Sequence, residues 1–179
     1  RYLIEEIKSG WNFDEIVGKS PSLAAVRENV RRVAPTETTV LITGETGTGK
    51  GTAAQAIGRS GFIPFDIKHG CFTESFTQAF SSLNLSQYPE TLLESELFGH
   101  TKGAFTGAVE DYQGVFDRCS PHGSILLDEI GEIPNHVQIK LLRVLQEKEI
   151  KPLGSNTSRT VDVRIIAATN RDLENELET

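Results

Sequence analysis

The chain is poor in the residues and patterns that announce specialised proteins. Among 179 residues there are two cysteines, Cys71 and Cys119. They indicate no disulfide framework, and no Cys/His spacing resembles a metal-ligand set. The four histidines, His69, His100, His122 and His136, are scattered, as suits surface or locally hydrogen-bonded side chains. No apolar run reaches the roughly 18 residues that a membrane-spanning helix needs. Residues 1–6 are interrupted by Glu5 and Glu6 where a secretion signal requires an apolar stretch. Basic residues are also short: 18 Lys and Arg against 25 Asp and Glu give a net charge of −7. That is the wrong sign for a surface that grips nucleic-acid phosphates, so any DNA contact is expected from outside this chain. There are no internal repeats. What remains is an ordinary globular composition, 37% hydrophobic and 24% charged, with a reducing, cytoplasmic setting expected.

Alternating strand and helix signals run through the chain. Residues 1–15 read as a connector from an upstream domain, broken by Ser9-Gly10-Trp11-Asn12. Ser20-Pro21 starts a helix whose Leu23, Val26, Val30 and Val33 lie at helical spacing. Residues 38–43 form a β-branched, apolar strand, followed by a glycine-rich turn and a helix over 50–59. Residues 63–67 suggest a second strand, and Phe72, Phe76 and Phe80 recur four apart, as on one helix face. A helix over 90–98, a strand over 124–128 and an amphipathic helix after Pro134 follow. Residues 149–161 contain a Gly154-Ser155-Asn156 turn, suggesting a hairpin or long loop; a strand over 163–169 and a polar helix near Asp172 end the pattern. This order predicts an α/β fold, a parallel sheet flanked by helices.

Chemistry concentrates at four places. Gly44-Glu45-Thr46-Gly47-Thr48-Gly49-Lys50 sits between a strand and a helix, the context a phosphate loop requires. Backbone N–H groups and the helix N-terminus favour phosphate oxygens, and Lys50 adds a point charge. Gly51 stands where a Mg²⁺-binding hydroxyl usually follows the lysine, and Thr52 comes one residue later. Ile125-Leu126-Leu127-Asp128-Glu129 ends an apolar strand in two carboxylates. Asp128 could then hold Mg²⁺ while Glu129 activates water. Asn170 ends the next strand, where its amide could report a γ-phosphate. Gly103-Ala104-Phe105-Thr106-Gly107-Ala108 makes poor helix or core material and suits a mobile loop presenting one aromatic tip.

Together these stretches, with Leu92-Leu93-Glu94-Ser95-Glu96-Leu97-Phe98-Gly99-His100 and Leu141-Leu142-Arg143-Val144-Leu145-Gln146, resemble one family. The chain is similar to the AAA+ ATPase domain of bacterial enhancer-binding activators of sigma-54 RNA polymerase, over roughly residues 13–178. The resemblance implies a P-loop AAA+ fold, ATP and Mg²⁺ as ligands, and a phosphate-binding Lys50. It implies that Gly44, Glu45, Thr46, Gly47, Thr48, Gly49, Gly51 and Thr52 line the nucleotide, with Val17 and Gly18 near the adenine. Asp128, with Thr52, would serve the metal, Glu129 the water, and Asn170 the sensor. Gly103, Ala104, Phe105, Thr106, Gly107 and Ala108 would touch sigma-54, in a ring that is hexameric by family resemblance.

Three departures qualify this. The family carries a glutamate at the place of Gly51. Its restraining Asn at the end of the second strand has no obvious match, with Asp66 and His69 both open. The family also continues into arginine fingers and a helical lid that follow the last residue here. The expectation is therefore an AAA+ subdomain over 16–179, incomplete at its C-terminal end and weakly active alone. Arg171 does not match a finger position. Two competing readings are a nucleotide-binding interaction module without turnover and a small-molecule kinase.

Overall fold

Two strands with uninterrupted apolar runs organise the molecule. In the computed structural model, which describes residues 16, 18–60, 65–66, 68, 71–72 and 79–173, the elements in chain order are these. Helix α1 (Pro21–Val33) precedes strand β1 (Val40–Thr43) and helix α2 (Lys50–Ser60). Short strands β2 (Phe65–Asp66) and β3 (Cys71–Phe72) lead to β4 (Phe80–Asn84), a 3-10 turn (Leu85–Gln87) and α3 (Glu90–Phe98). The single turn α4 (Val115–Arg118), β5 (Gly123–Asp128) and a second 3-10 turn (Ile130–Glu132) precede α5 (Asn135–Glu147). Strands β6 (Glu149–Ile150), β7 (Arg159–Thr160) and β8 (Val163–Thr169) complete the described elements.

The main sheet has the order β1-β8-β5-β4 with every pairing parallel. Its central strands, β5 and β8, are buried along almost their whole length, as a parallel sheet covered on both faces requires. Side-chain alternation divides them between two cores. Ile125, Leu127, Val163 and Ile165 face a cluster with Leu93, Leu97 and Phe98 of α3 and Val137, Leu141 and Val144 of α5. Leu126, Ile166 and Ala168 face the other side, against Val30 of α1 and Ala53, Ala54 and Ile57 of α2.

Most expected elements are present. Ser20 caps α1, its Oγ accepting from the Leu23 amide at 3.2 Å. The expected core face of α1 is partial: Val30 is buried, Leu23 and Val33 are half-buried, and Val26 is exposed. Arg164, buried on β8, ends this helix by donating to the carbonyls of Val33, Ala34 and Thr38. Desolvation lowers its pKa from the ordinary arginine value. The hairpin over 149–161 exists as antiparallel β6 and β7.

Two expectations need correcting. Phe80 does not continue a helix face but opens β4, the fourth strand of the main sheet. The strand expected over 63–67 is not part of that sheet, since β2 pairs antiparallel with β3. The connector over 1–15, Val17, His69, Phe76 and most of the polar helix near Asp172 lie outside the described residues.

If β5 is the structural spine, truncating it should be severe and truncating the outer face of α5 mild. Leu127→Ala, at a fully buried site, should lower the unfolding free energy by about 2–5 kcal/mol. Leu142→Ala, half exposed, should change it by about 0.5 kcal/mol or less in the same urea titration.

Candidate functional site

Parallel pairing brings the C-terminal ends of all four main strands to one edge. Thr43 lies opposite Thr169, Asn84 opposite Asp128, and Asp128 opposite Ala168. The residues just beyond these ends, Gly44, Glu129 and Asn170, therefore gather at the same place. In open α/β sheets this carboxyl edge is where ligands bind.

The phosphate loop is the first part. Gly49 takes a positive φ of 87° with open space where a side chain would be, turning the chain directly into α2. Thr48 Oγ1 donates to the Glu45 carbonyl at 2.7 Å, tightening the loop. Lys50 is buried, and its Nζ donates to the carbonyls of Gly44 and Glu45 at 2.9 and 3.0 Å. The ammonium thus lies within the loop, at the N-terminus of an 11-residue helix with no acidic side chain in its first turn. Dipole and cation act together there in favour of an anion.

The loop is tied to the far strand. Gly44 N donates to the Thr169 carbonyl at 3.3 Å, and Asn170 Nδ2 donates to Thr46 Oγ1 at 3.2 Å. The expected sensor and the expected phosphate cradle are therefore in direct contact. Arg171, by contrast, pairs with Glu132 through Nε–Oε1 at 2.9 Å.

The acidic pair ends β5. Asp128 Oδ1 accepts from the Glu129 amide at 3.0 Å. Glu129 has left-handed backbone, φ 57° and ψ 46°, unusual for a residue with a side chain. Such strain persists where the surroundings impose it, and it marks sites whose side-chain aim matters. Among the described residues no three His, Cys, Asp or Glu form a ready-made metal cage. The oxygen set nonetheless fits Mg²⁺, which takes few protein carboxylates and completes its shell with phosphates and water. Asp128 at the strand end and the half-buried Thr52 on α2 are the candidate protein oxygens. Gly51 faces open space, so nothing replaces the side chain it lacks.

Asn84 is the functional candidate that the sequence alone left unassigned. It ends β4 beside Asp128, whereas Asp66 belongs to the separate β2–β3 pair. Its Oδ1 accepts from Ser86 N and Ser86 Oγ at 3.1 and 2.8 Å, leaving the amide Nδ2 as its remaining donor group. The usable signal was the alternation through Leu83 to Asn84, hidden by the four-residue spacing of the phenylalanines.

Ahead of α1, Ile16 is buried in the α1–α2 core. The carbonyl of Gly18 accepts from Arg27 Nη2, and Leu23 fills the space a Gly18 side chain would need.

The glycine-rich hexapeptide forms the tip of a closed loop from Gly99 to Tyr112. His100 and Tyr112 exchange backbone hydrogen bonds at 3.0 and 2.9 Å, and Gly103 N donates to the Ala108 carbonyl at 2.8 Å. Thr101 N donates to the Leu153 carbonyl, and Leu153 N to that of Gly99, both at 2.9 Å. Gly154 takes φ 74°, and a side chain there would come within 2.7 Å of Ala104. Phe105 is not a free tip: half-buried, it sits against His100 with ring centroids 4.9 Å apart. Thr106 and Gly107 are the exposed apex, and Ala108 is buried. Tyr112 OH donates to Glu96 Oε2 at 2.9 Å. Burial, then this bond, raises the Tyr112 pKa, so the phenol stays a donor.

A family model described as the sigma-54 interaction domain matches residues 16–179. The chain belongs to the sigma-54 interaction domain family. It is 46% identical over 177 residues to the Nif-specific regulatory protein of Azotobacter vinelandii, covering 98% of this chain and 31% of that protein. It is 42% identical over 174 residues to the regulatory protein AtoC of Escherichia coli (strain K12), covering 97% and 35%. The chain thus spans about a third of the length of these curated relatives. Among solved structures, NtrX from Brucella abortus superposes with a TM-score of 0.73 at 29% identity, over 99% of this chain and 36% of that one. NtrX in complex with ATP gives 0.72 at 29% identity, over 90% and 32%. A magnesium chelatase BchI–BchD complex, at 0.52 and 20% identity over 88% and 54%, shares the fold alone.

In this sigma-54 interaction domain the strain at Glu129 has a measurable counterpart. Glu129→Gly should leave urea stability unchanged or raise it by about 1 kcal/mol, because glycine adopts left-handed backbone freely. A loss above about 1 kcal/mol would mean that the side chain, not the fold, holds this backbone.

Proposed function

We propose that the chain is an ATP-binding and ATP-hydrolysing motor domain that remodels sigma-54 RNA polymerase to activate transcription. The observation that carries this reading is the convergence at one sheet edge of Lys50, Asp128, Glu129, Asn84 and the Asn170–Thr46 contact. Membership of the sigma-54 interaction domain family and the ATP complex of the similar NtrX support it.

In this mechanism the loop amides and Lys50 bind the β- and γ-phosphates. Asp128, with Thr52, would hold Mg²⁺, which supplies charge neutralisation on the phosphate oxygens. Glu129 accepts a proton from the attacking water, its carboxylate aimed by the left-handed backbone. Asn84, one strand over, would restrain that carboxylate until the triphosphate is bound. Asn170 reads the γ-phosphate and shares that reading with the loop through Thr46. The apex at Thr106, with Phe105 beside it, touches sigma-54.

Ring assembly, hexameric by resemblance, would place a neighbour's arginine at the transferring phosphoryl, an effect worth about 10³–10⁵ in rate. DNA contact is assigned in this reading to a part of the protein outside the chain. The likeness to bacterial transcription regulators supports a cytoplasmic setting. Among the described residues no helix is long and apolar enough to cross a membrane.

One observation favours a second reading, a nucleotide-binding interaction module without turnover. Gly51 offers neither hydroxyl nor carboxylate to the metal. Glu129→Gln separates the two in a chain long enough to carry the arginine-finger segment. A motor should lose phosphate release by about 10²–10⁴-fold while ATP binding stays within a few fold. Equal, negligible release from both proteins would establish the binding module.

A further inference from the structure

Phe105 is held by a histidine, and the histidine is held by a helix. Ser95, buried near the C-terminal end of α3, has its Oγ 2.6 Å from His100 Nδ1. This hydrogen bond fixes the rotation of the imidazole. One side of the ring stacks on Tyr112, with centroids 5.5 Å apart and planes 21° from parallel. Phe105 meets it at 4.9 Å and 68°, the edge-on arrangement that aromatic quadrupoles favour. Tyr112 is itself fixed by Glu96, the neighbour of Ser95, and lies under the Arg118 guanidinium at 5.5 Å. The imidazole thus touches both Phe105 beside the loop apex and Tyr112 at the loop base.

We propose that His100 is a positioning residue for Phe105, clamped by Ser95 and Tyr112 so that α3 sets the stance of the aromatic ring offered to the partner. The inference rests on the reading that the 103–108 segment contacts sigma-54. The clamp pre-orders a glycine-rich loop, and pre-ordering raises affinity by removing an entropic penalty from binding. Losing an edge-on aromatic contact shifts the docked population by roughly 2- to 12-fold. A ring without Nδ1 retains the stacking and should retain most of the effect.

The test uses two readouts on the same proteins. Fluorine NMR follows the chain labelled with 4-fluorophenylalanine at its nine phenylalanines, the Phe105 signal being the one lost in Phe105→Leu. Capture of purified sigma-54 is measured in the presence of ATP and Mg²⁺. His100→Ala should move the Phe105 resonance and weaken capture by roughly 2- to 12-fold. Ser95→Ala should move it in the same direction by less, and His100→Phe should restore capture to within about twofold. Glu28→Gln, exposed on α1, should alter neither. An unmoved resonance in His100→Ala overturns the proposal whatever capture does. So does a capture loss in Phe105→Leu that His100→Ala does not share. A resonance that moves in His100→Ala while even Phe105→Leu leaves capture intact supports the clamp and instead sinks the partner reading.

Discussion

The register of four parallel strands is the constraint on which the rest of this structure depends. Asn84, Asp128 and Ala168 stand side by side across β4, β5 and β8, and Thr43 stands beside Thr169. A slip of one residue in any pairing would turn a buried face to water and carry its terminal polar residue away from the edge. The two central strands therefore do two jobs with one set of side chains. Ile125, Leu127 and Ile166 fill the cores, and their burial fixes where Asp128, Glu129 and Asn170 must sit. Site geometry is a consequence of core packing, which explains why short polar side chains with little reach can act together here.

The same edge is joined to the loop from Gly99 to Tyr112 by a short run of chain. From Asn84 the backbone passes through one 3-10 turn into α3, which ends at Phe98. Ser95 and Glu96 on that helix bond His100 and Tyr112 at the loop base, while Phe98 packs on Phe116 at 5.8 Å. A change at the strand ends that displaces α3 is thus delivered to the loop through side chains already in contact. The loop's second wall, Leu153 and Gly154, hangs from the β6–β7 hairpin that follows α5. Both walls lead back to elements that start at the carboxyl edge, β4 through α3 and β5 through α5.

Much of this was legible in the sequence because the signals are local. The phosphate loop, the Asp128-Glu129 pair and the Ser20-Pro21 helix start each announce themselves within a few residues. The buried strand of β8 and the amphipathic α5 do so through periodicity. What was not legible is non-local or masked by coincidence. Phe72, Phe76 and Phe80 imitate a helical period, while β4, the outer strand among the described residues of the main sheet, carries two serines in place of a β-branched run. Asn84 was hidden with it. Glycine content in the 103–108 segment suggested an open, mobile loop with an aromatic tip. The ties that close it come from Tyr112 and Leu153, and only the fold brings the latter near. The half-buried stance of Phe105 follows from that closure, not from its own composition.

The central claim is that a γ-phosphate at the sheet edge changes the position of the loop apex. Paired spin labels at the exposed positions Thr106 and Ile139 would read the distance between the loop apex and the outer face of α5. The account predicts different distance distributions with ATP and with ADP in a Glu129→Gln background, where the triphosphate persists. Superimposable distributions, with both nucleotides demonstrably bound, would contradict it.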